Sequence, residues 1–263
     1  MRRALAAIEA IVDDAQKVLG EVAILAVRWR LTKSRDAAER LHRAIERNIP
    51  NPVNEALWAA PGTMLGALHM LEWTGDEEWE KLYLANVEQL WSTWLPSANA
   101  PCRLWTQDLY GDVVQLLGAA HGFAGNAYAM LRGARLLSSE RREALYDRCV
   151  ETLLATAVLE ADGANWPPGV GPPRAGREKM LVQWCHGAPG IVTAMADIPV
   201  GRSPALDGML QQAVTSPGLP DRSPRGTACA TAPRAMATRF SSCTSAPATS
   251  CGSKGRARSL CTP

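Results

Sequence analysis

Three segments of this chain share one pattern, in which a turn of small residues ends in glycine and an apolar helix follows directly. In chain order they are "WAAPGTMLGAL", "AAHGFAGNAYAML" and "WCHGAPGIVTAM". Their glycines, Gly62, Gly125 and Gly190, are 63 and 65 residues apart, which leaves room for two helices and their connections. Helix pairs that repeat in this way stack side by side or close into a ring. The repeat therefore predicts an all-α fold of helical hairpins.

The remainder of residues 1–199 also carries helical patterns, because apolar residues recur at helical spacing in successive segments. These segments are "ALAAIEAIVDDAQKVLGEVAILAV", "DAAERLHRAIER", "TMLGALHMLEW", "EWEKLYLANVEQLWSTWL", "DLYGDVVQLLGAA", "NAYAMLRGARLL", "REALYDRCVETLLATAVL" and "MLVQWCHGAPGIVTAMA". Breakers separate several of them, at "NIPNP", "PSANAP" and "NWPPGVGPPRAG". Strand alternation is scarce.

Charge and hydropathy exclude several classes of protein. A net charge of +2 gives no electrostatic basis for binding nucleic acid. No apolar run reaches the length that crosses a membrane, and Glu9, Asp13 and Asp14 interrupt any signal-peptide core. We therefore expect a cytoplasmic protein, in which seven irregularly spaced cysteines do not indicate a disulfide framework.

The composition changes at about residue 200. All nine tryptophans and all four histidines lie before it, whereas residues 200–263 hold eight Lys or Arg against two Asp or Glu. This tail is rich in Ser, Thr, Pro, Ala and Gly and carries four cysteines, Cys229, Cys243, Cys251 and Cys261. Such a composition cannot bury a core. We predict one helical domain at 1–199 and a disordered tail at 200–263.

The repeat motifs resemble a known family. The stretch "WCHGAPG" after "NWPP", with "HGFAGNAYAML" one repeat earlier, resembles the LanC-like proteins, relatives of the lanthipeptide cyclases, over roughly residues 50–199. The resemblance implies an α/α toroid with one zinc ion in the mouth of its ring. It also implies addition of a thiol, either glutathione or a peptide cysteine, to dehydroalanine or dehydrobutyrine. "WCHGAPG" matches best the eukaryotic-type members, which use glutathione.

The resemblance also assigns roles to three residues. Cys185 is implied to be the first zinc ligand, and His121 the histidine that transfers a proton. His186 is expected to cap a helix or to contact the zinc ligands rather than to bind the metal itself. Zinc with three protein ligands keeps a fourth position for a substrate thiol and deprotonates it, and histidine is suited to proton transfer near neutral pH.

The other two zinc ligands of the family, an adjacent Cys-His pair, are missing, since no histidine follows His186. Shifting the reading frame of the tail permits "LCHGTAGNGYAFLKLYERTGDELW" over Ala228 to Gly252, which resembles the chain's own "HGFAGNAYAML" and "TGDEEW". We hypothesise that the frame is lost between Pro199 and Pro220. The ring is then incomplete, and we expect the chain as written to be inactive or impaired.

Several residues keep alternative interpretations. Cys185 could be a small buried apolar residue, and His121 a buried hydrogen-bonded histidine. Asp108 and Asp112 could line the mouth of the ring or occupy a solvated helix face. His42 and His69, in amphipathic helices, are expected to be structural, and the tryptophans to belong to the core.

Two other functions remain open from the sequence. One is a non-catalytic helical module that binds peptide or glutathione without metal. The other is a sugar-processing α/α-toroid enzyme, which would need two facing carboxylates that the glycine-led turns do not supply.

Overall fold

The fold is built from α-helices in the part of the chain that the computed structural model describes, residues 20–109, 111–160, 163–172 and 180–215. In chain order these helices are α1 (Glu21–Thr32), α2 (Arg35–Asn48), α3 (Ala60–Thr74), α4 (Glu77–Thr93), α5 (Phe123–Arg132), α6 (Ser139–Thr156), α7 (Ala188–Ala194) and α8 (Pro204–Thr215). A 3₁₀ turn, Ala134–Leu136, follows α5. The predicted helical class is confirmed. None of the described helices combines the length and the apolar character that crossing a membrane requires.

Short antiparallel hairpins connect some of the helices. Their pairs are β1 (Leu95–Pro96) with β2 (Arg103–Leu104), β3 (Gln107–Leu109) with β4 (Asp112–Val114), and β5 (Val158–Glu160) with β6 (Gly163–Asn165). In register, Leu95 lies opposite Leu104, and Leu159 lies opposite Ala164. The hairpins contribute side chains to the mainly helical core, since Leu104 and Ala164 are buried in it.

The helix predicted from "DLYGDVVQLLGAA" is wrong. The structure places the β3–β4 hairpin there, with Asp108 opposite Val113. Gly111, between the strands, has a φ of +81°, a left-handed conformation that helices do not contain. Asp108 and Asp112 are exposed on this hairpin rather than on a helix face.

Side-chain caps fix where three of the helices begin. The hydroxyl of Ser34 accepts the N–H of Ala37, and that of Ser138 accepts the N–H of Arg141. The carboxylate of Asp76 accepts the N–H of Glu78 at the start of α4. Each cap satisfies a backbone donor that the first turn of a helix leaves without a partner.

The three repeat helices pack beside one another, since α3 contacts α5 and α5 contacts α7. The helix α4 packs along α3, and α1 packs along α2. Aromatic rings pack together in the core. Trp94 stacks on Trp105 with 4.2 Å between ring centroids, and the ring of Phe123 lies 6.0 Å from each of them. The prediction that the tryptophans are core residues holds for these two and for Trp166, which are at most 1% exposed.

The structure describes a helix beyond residue 199, where the predicted domain ends, and the boundary itself stays a prediction. Helix α8 lies in the segment expected to be disordered, and it buries Leu206 and Ala213 against the core. The stretch "PALDGMLQQAVT" keeps apolar residues at helical spacing, which the average composition of the tail conceals. The rest of that segment, residues 216–263, lies outside the described residues.

Candidate functional site

The three glycine-led turns share one backbone geometry. A Cβ placed on Gly62 would overlap the carbonyl oxygen of the residue six positions earlier, and the same holds for Gly125 and Gly190. The three carbonyls belong to Ala56, Ala119 and Trp184. In each repeat the chain before the helix therefore folds back against the glycine near the start of that helix. Only glycine leaves room for that approach. The internal repeat read from the sequence is a repeat of structure.

The turns also contact one another in chain order. A Cβ on Gly125 would lie 2.8 Å from the Cβ of Ala56 in the first turn. A Cβ on Gly190 would lie 3.0 Å from the Cβ of Ala119 in the second turn. Gly118 lies so close to the carbonyl of Cys185 that any side chain there would overlap it. The second turn is thus held between the first and the third.

These contacts between consecutive turns bring His121 next to the first turn. His121 stands four residues before its glycine, the same position that Trp58 holds in the first turn and His186 in the third. The rings of Trp58 and His121 are in contact, with their centroids 5.2 Å apart. Trp58 was expected to be a core residue. The structure places it, partly buried, against the histidine that the family resemblance implies to be catalytic.

The partner of His121 is Glu55, a residue that the sequence analysis missed. The Nδ1 atom of His121 lies 2.8 Å from Oε2 of Glu55, whose side chain is 0% exposed against 21% for that of His121. Glu55 also accepts the backbone N–H groups of Leu57, at 2.9 Å, and of Trp58. The carboxylate is therefore fixed by its own turn.

The hydrogen bond to Glu55 sets the chemistry of the histidine. A carboxylate only accepts hydrogen bonds, so Nδ1 of His121 carries the proton and Nε2 remains as the basic nitrogen. The hydrogen bond agrees with the expected alternative of a structural histidine, whereas proton transfer by His121 stays a prediction. The ring is hydrogen-bonded, yet a fifth of its surface stays accessible. A carboxylate that orients a histidine is the usual arrangement of a general base.

Asn165 organises the third turn, which carries Cys185 and His186. Its Oδ1 accepts the N–H of Trp166 at 2.9 Å and that of Ala188 at 2.8 Å. Its Nδ2 donates to the carbonyl of Leu181 at 3.1 Å. These bonds tie the "NWPP" segment to the start of α7, which explains why "NWPP" and "WCHGAPG" occur together.

Cys185 is partly exposed rather than buried, with its Sγ 3.5 Å from Oε1 of Gln183. The other two cysteines of the described residues, Cys102 and Cys149, are buried. Burial raises the pKa of both of these thiols, which keeps them protonated and unreactive at neutral pH. Cys185 is thus the described cysteine that a substrate or a metal ion can reach.

The described residues do not make a zinc site. Among them, no three His, Cys, Asp or Glu side chains lie close enough together to hold a metal ion. Catalytic zinc takes three protein ligands, and the role of Cys185 as one of them stays a prediction. The Cys-His pair expected from the shifted frame falls in residues 216–263, outside the described part of the chain.

The remaining histidines lie on helices α2 and α3 rather than in the turns. His42 lies 4.0 Å from Glu46, and its ring meets the edge of Trp79. His69 lies 3.4 Å from Glu72 in an exposed pair. Their expected structural role remains a prediction.

Comparison with known proteins gives the family and the fold. The profile of the family described as lanthionine synthetase C-like protein matches residues 20–200. The "Glutathione S-transferase LANCL1" of Danio rerio is 26% identical over 191 residues, which are 66% of this chain and 44% of that protein. The chain thus spans less than half the length of this relative.

A solved structure named "Nisin cyclase" is similar to this chain with a TM-score of 0.54 and 17% identity. The likeness covers 79% of this chain and 60% of the cyclase, and it confirms the predicted α/α-toroid fold. The family profile covers more than half of the chain, including all three glycine-led turns. The chain therefore belongs to the lanthionine synthetase C-like protein family.

Proposed function

We propose that this chain carries the acid–base part of a site that adds a thiol to a dehydroamino acid. The observation that carries the proposal is the hydrogen bond between the buried carboxylate of Glu55 and Nδ1 of His121. Membership of the family supports it, as do the printed names of the two similar proteins, a glutathione S-transferase and a nisin cyclase.

The pair can move one proton through the whole reaction. Nε2 of His121 takes the proton of the substrate thiol, and the thiolate attacks the β-carbon of dehydroalanine or dehydrobutyrine. A carbon–sulfur bond forms, while the electrons of the carbon–carbon double bond move toward the carbonyl as an enolate. The imidazolium then returns the same proton to the α-carbon. Every atom of the thiol is found in the product.

Glu55 favours this cycle electrostatically. When His121 takes up a proton, the negative carboxylate at 2.8 Å stabilises the imidazolium without any rearrangement. The two backbone N–H groups that Glu55 accepts hold it in the same position throughout. Glu55 is therefore a positioning and stabilising residue, and His121 is the group that meets the substrate.

Exposed apolar side chains in the first and third turns suit a peptide that bears an apolar dehydroamino acid. Leu57 is 44% exposed and Trp184 is 36% exposed, and they belong to the first and third turns on either side of the turn of His121. We propose glutathione or a peptide cysteine as the thiol. Cys185 is proposed as a zinc ligand only in a chain that supplies two more ligands.

The experiment is to incubate the full chain with glutathione and a dehydroalanine-containing peptide, with added zinc in one arm and a chelator in the other. Mass spectrometry follows the gain of one glutathione per peptide. We expect slow addition, since the zinc ligands are incomplete, but addition above the rate without protein, and its loss in His121→Asn and Glu55→Gln.

The matched control is His69→Gln, which removes a histidine from another His–Glu pair that lies on the surface of α3. This variant should react as the unaltered chain does. Addition no faster than without protein would overturn the proposal. Equal losses in the His69 and His121 variants would reduce the role of His121 to stability.

A further inference from the structure

The backbone carbonyl of Asn54 is a junction between the first and second turns. It accepts the side-chain amide of Asn126 at 2.8 Å and that of Gln107 at 3.2 Å. Both amides are 0% exposed, and Asn54 itself is 8% exposed. Asn54 has a φ of +50°, a left-handed conformation that asparagine tolerates better than most residues. Two buried donors on one carbonyl thus hold a residue in an uncommon conformation.

Both residues of the Asn54–Asn126 hydrogen bond lie close in the sequence to a member of the proposed acid–base pair. Asn54 directly precedes Glu55, and Asn126 follows His121 by five residues at the start of α5. Two neighbouring residues of the first turn are therefore bonded to two residues of the second. Loss of the bond between Asn54 and Asn126 would remove one of the bonds that fix the backbone next to Glu55 relative to the turn of His121.

The amide of Asn126 is incompletely satisfied for a buried group. Its Nδ2 donates to Asn54, but its Oδ1 has no hydrogen-bond partner among the described residues. A buried amide with an unpaired oxygen is unfavourable, so packing alone would favour an apolar side chain at this position. The donated hydrogen bond is what the asparagine supplies.

We propose that Asn126 is a positioning residue for the acid–base pair. Its amide fixes the carbonyl of Asn54, which places Glu55 so that the carboxylate holds His121 with the proton on Nδ1 and the lone pair on Nε2. The catalytic role of this positioning rests on the proposed function. Its geometric content, the tautomer of His121, can be measured without any substrate.

The test is nitrogen-15 NMR of the histidine rings in the full chain, which distinguishes the Nδ1–H from the Nε2–H tautomer. The chain has four histidines, and a His121→Gln variant assigns the signal. The unaltered chain should show His121 with its proton on Nδ1. Asn126→Asp keeps the size of the side chain but removes the donor, and it should give a mixture in which neither tautomer predominates.

Asn86→Asp is the matched control. Asn86 is also 0% exposed, its Nδ2 donates to the carbonyl of Leu82 at 2.7 Å, and its Oδ1 also has no partner among the described residues. Both variants place a carboxylate in the core, so both should lower stability. Only Asn126→Asp should change the His121 signal.

Two results would overturn the inference. One is a proton on Nε2 of His121 in the unaltered chain, a reading that needs no variant and so holds even if Asn126→Asp does not fold. The other is an unchanged His121 signal in a folded Asn126→Asp chain. A confirmed tautomer without any thioether product would instead contradict only the proposed function.

Discussion

Oε2 of Glu55 lies 2.8 Å from Nδ1 of His121, although the two residues are 66 positions apart in the chain. The contact joins the first glycine-led turn to the second, and it exists because consecutive turns of the repeat lie side by side. The packing of the repeats therefore brings together two residues that no single sequence motif contains, and the proposed general base depends on this contact.

Replacing Glu55 with Gln should reduce thiol addition by roughly 100-fold, the lower range for loss of acid–base catalysis. The amide keeps the size of the side chain but removes the charge that stabilises the imidazolium. Initial rates with glutathione and a dehydroalanine peptide would measure the loss. Glu72→Gln, which alters the exposed partner of His69, should leave the rate unchanged. A Glu55→Gln chain as fast as the original would remove Glu55 from the mechanism.

Replacing Gly125 with Ala should lower the free energy of unfolding by about 1–3 kcal/mol, as is usual for overpacked positions. The new Cβ would overlap the carbonyl of Ala119 and press on the Cβ of Ala56. Gly208, within α8, has no neighbour within 4 Å of a built Cβ. Gly208→Ala should therefore stabilise the helix by about 0.5–1 kcal/mol. Urea titrations of the two variants compare them, and equal effects would contradict the repeat geometry.

Alkylation of the native chain at neutral pH should reach Cys185 before Cys149. Burial raises the pKa of the Cys149 thiol, so that thiol stays protonated in the folded chain, whereas Cys185 is partly exposed. Peptide mapping by mass spectrometry after timed iodoacetamide treatment separates the two sites. Labelling of Cys149 at the rate of Cys185 without denaturant would contradict the described core.

The raised pKa of the Cys149 thiol also makes the stability of the fold depend on pH. The raised pKa of Cys149 in the folded state means that its contribution to stability is fully present below the ordinary thiol pKa of about 8.5. The contribution is lost as the pH rises above that value, because the unfolded thiol ionises first. Denaturation midpoints at increasing alkaline pH should fall less steeply in Cys149→Ala than in the original chain.

The hypothesis of a lost reading frame predicts that a chain with the restored frame binds zinc. The hypothesis places the break between the codons of Pro199 and Pro220. A chain with the frame restored there should bind zinc stoichiometrically, and Cys185→Ala should abolish that binding. Metal analysis of the purified chains is the measurement. A restored chain without zinc, or one that keeps it after Cys185→Ala, would contradict the hypothesis.

The sequence predicted the repeat, the helical class and the family, because glycines at fixed spacing and apolar periodicity are local signals. It failed at the β3–β4 hairpin, where apolar residues suggested a helix and Gly111 supplied a turn instead. It also failed at α8, whose helical spacing was hidden by the composition of the tail that follows.

Glu55 could not be predicted from the sequence, because a single acidic residue in "NPVNEALW" has no spacing that relates it to His121. Its role depends on contacts between repeats, as does that of Asn126. The signal that could have found Glu55 is its placement just before a glycine-led turn, where a lone charge must be buried. Contacts between residues of different repeats can be recognised only in the folded structure.

The most direct test of the central claim is the configuration of the α-carbon in the product. A histidine held on one side of the substrate delivers its proton to one face, so the full chain should give a single diastereomer of the glutathione adduct. Chromatography resolves the diastereomers, and the reaction without protein gives the reference mixture. One diastereomer from the original chain, lost in His121→Asn, is the predicted result. The reference mixture from the original chain would contradict the account.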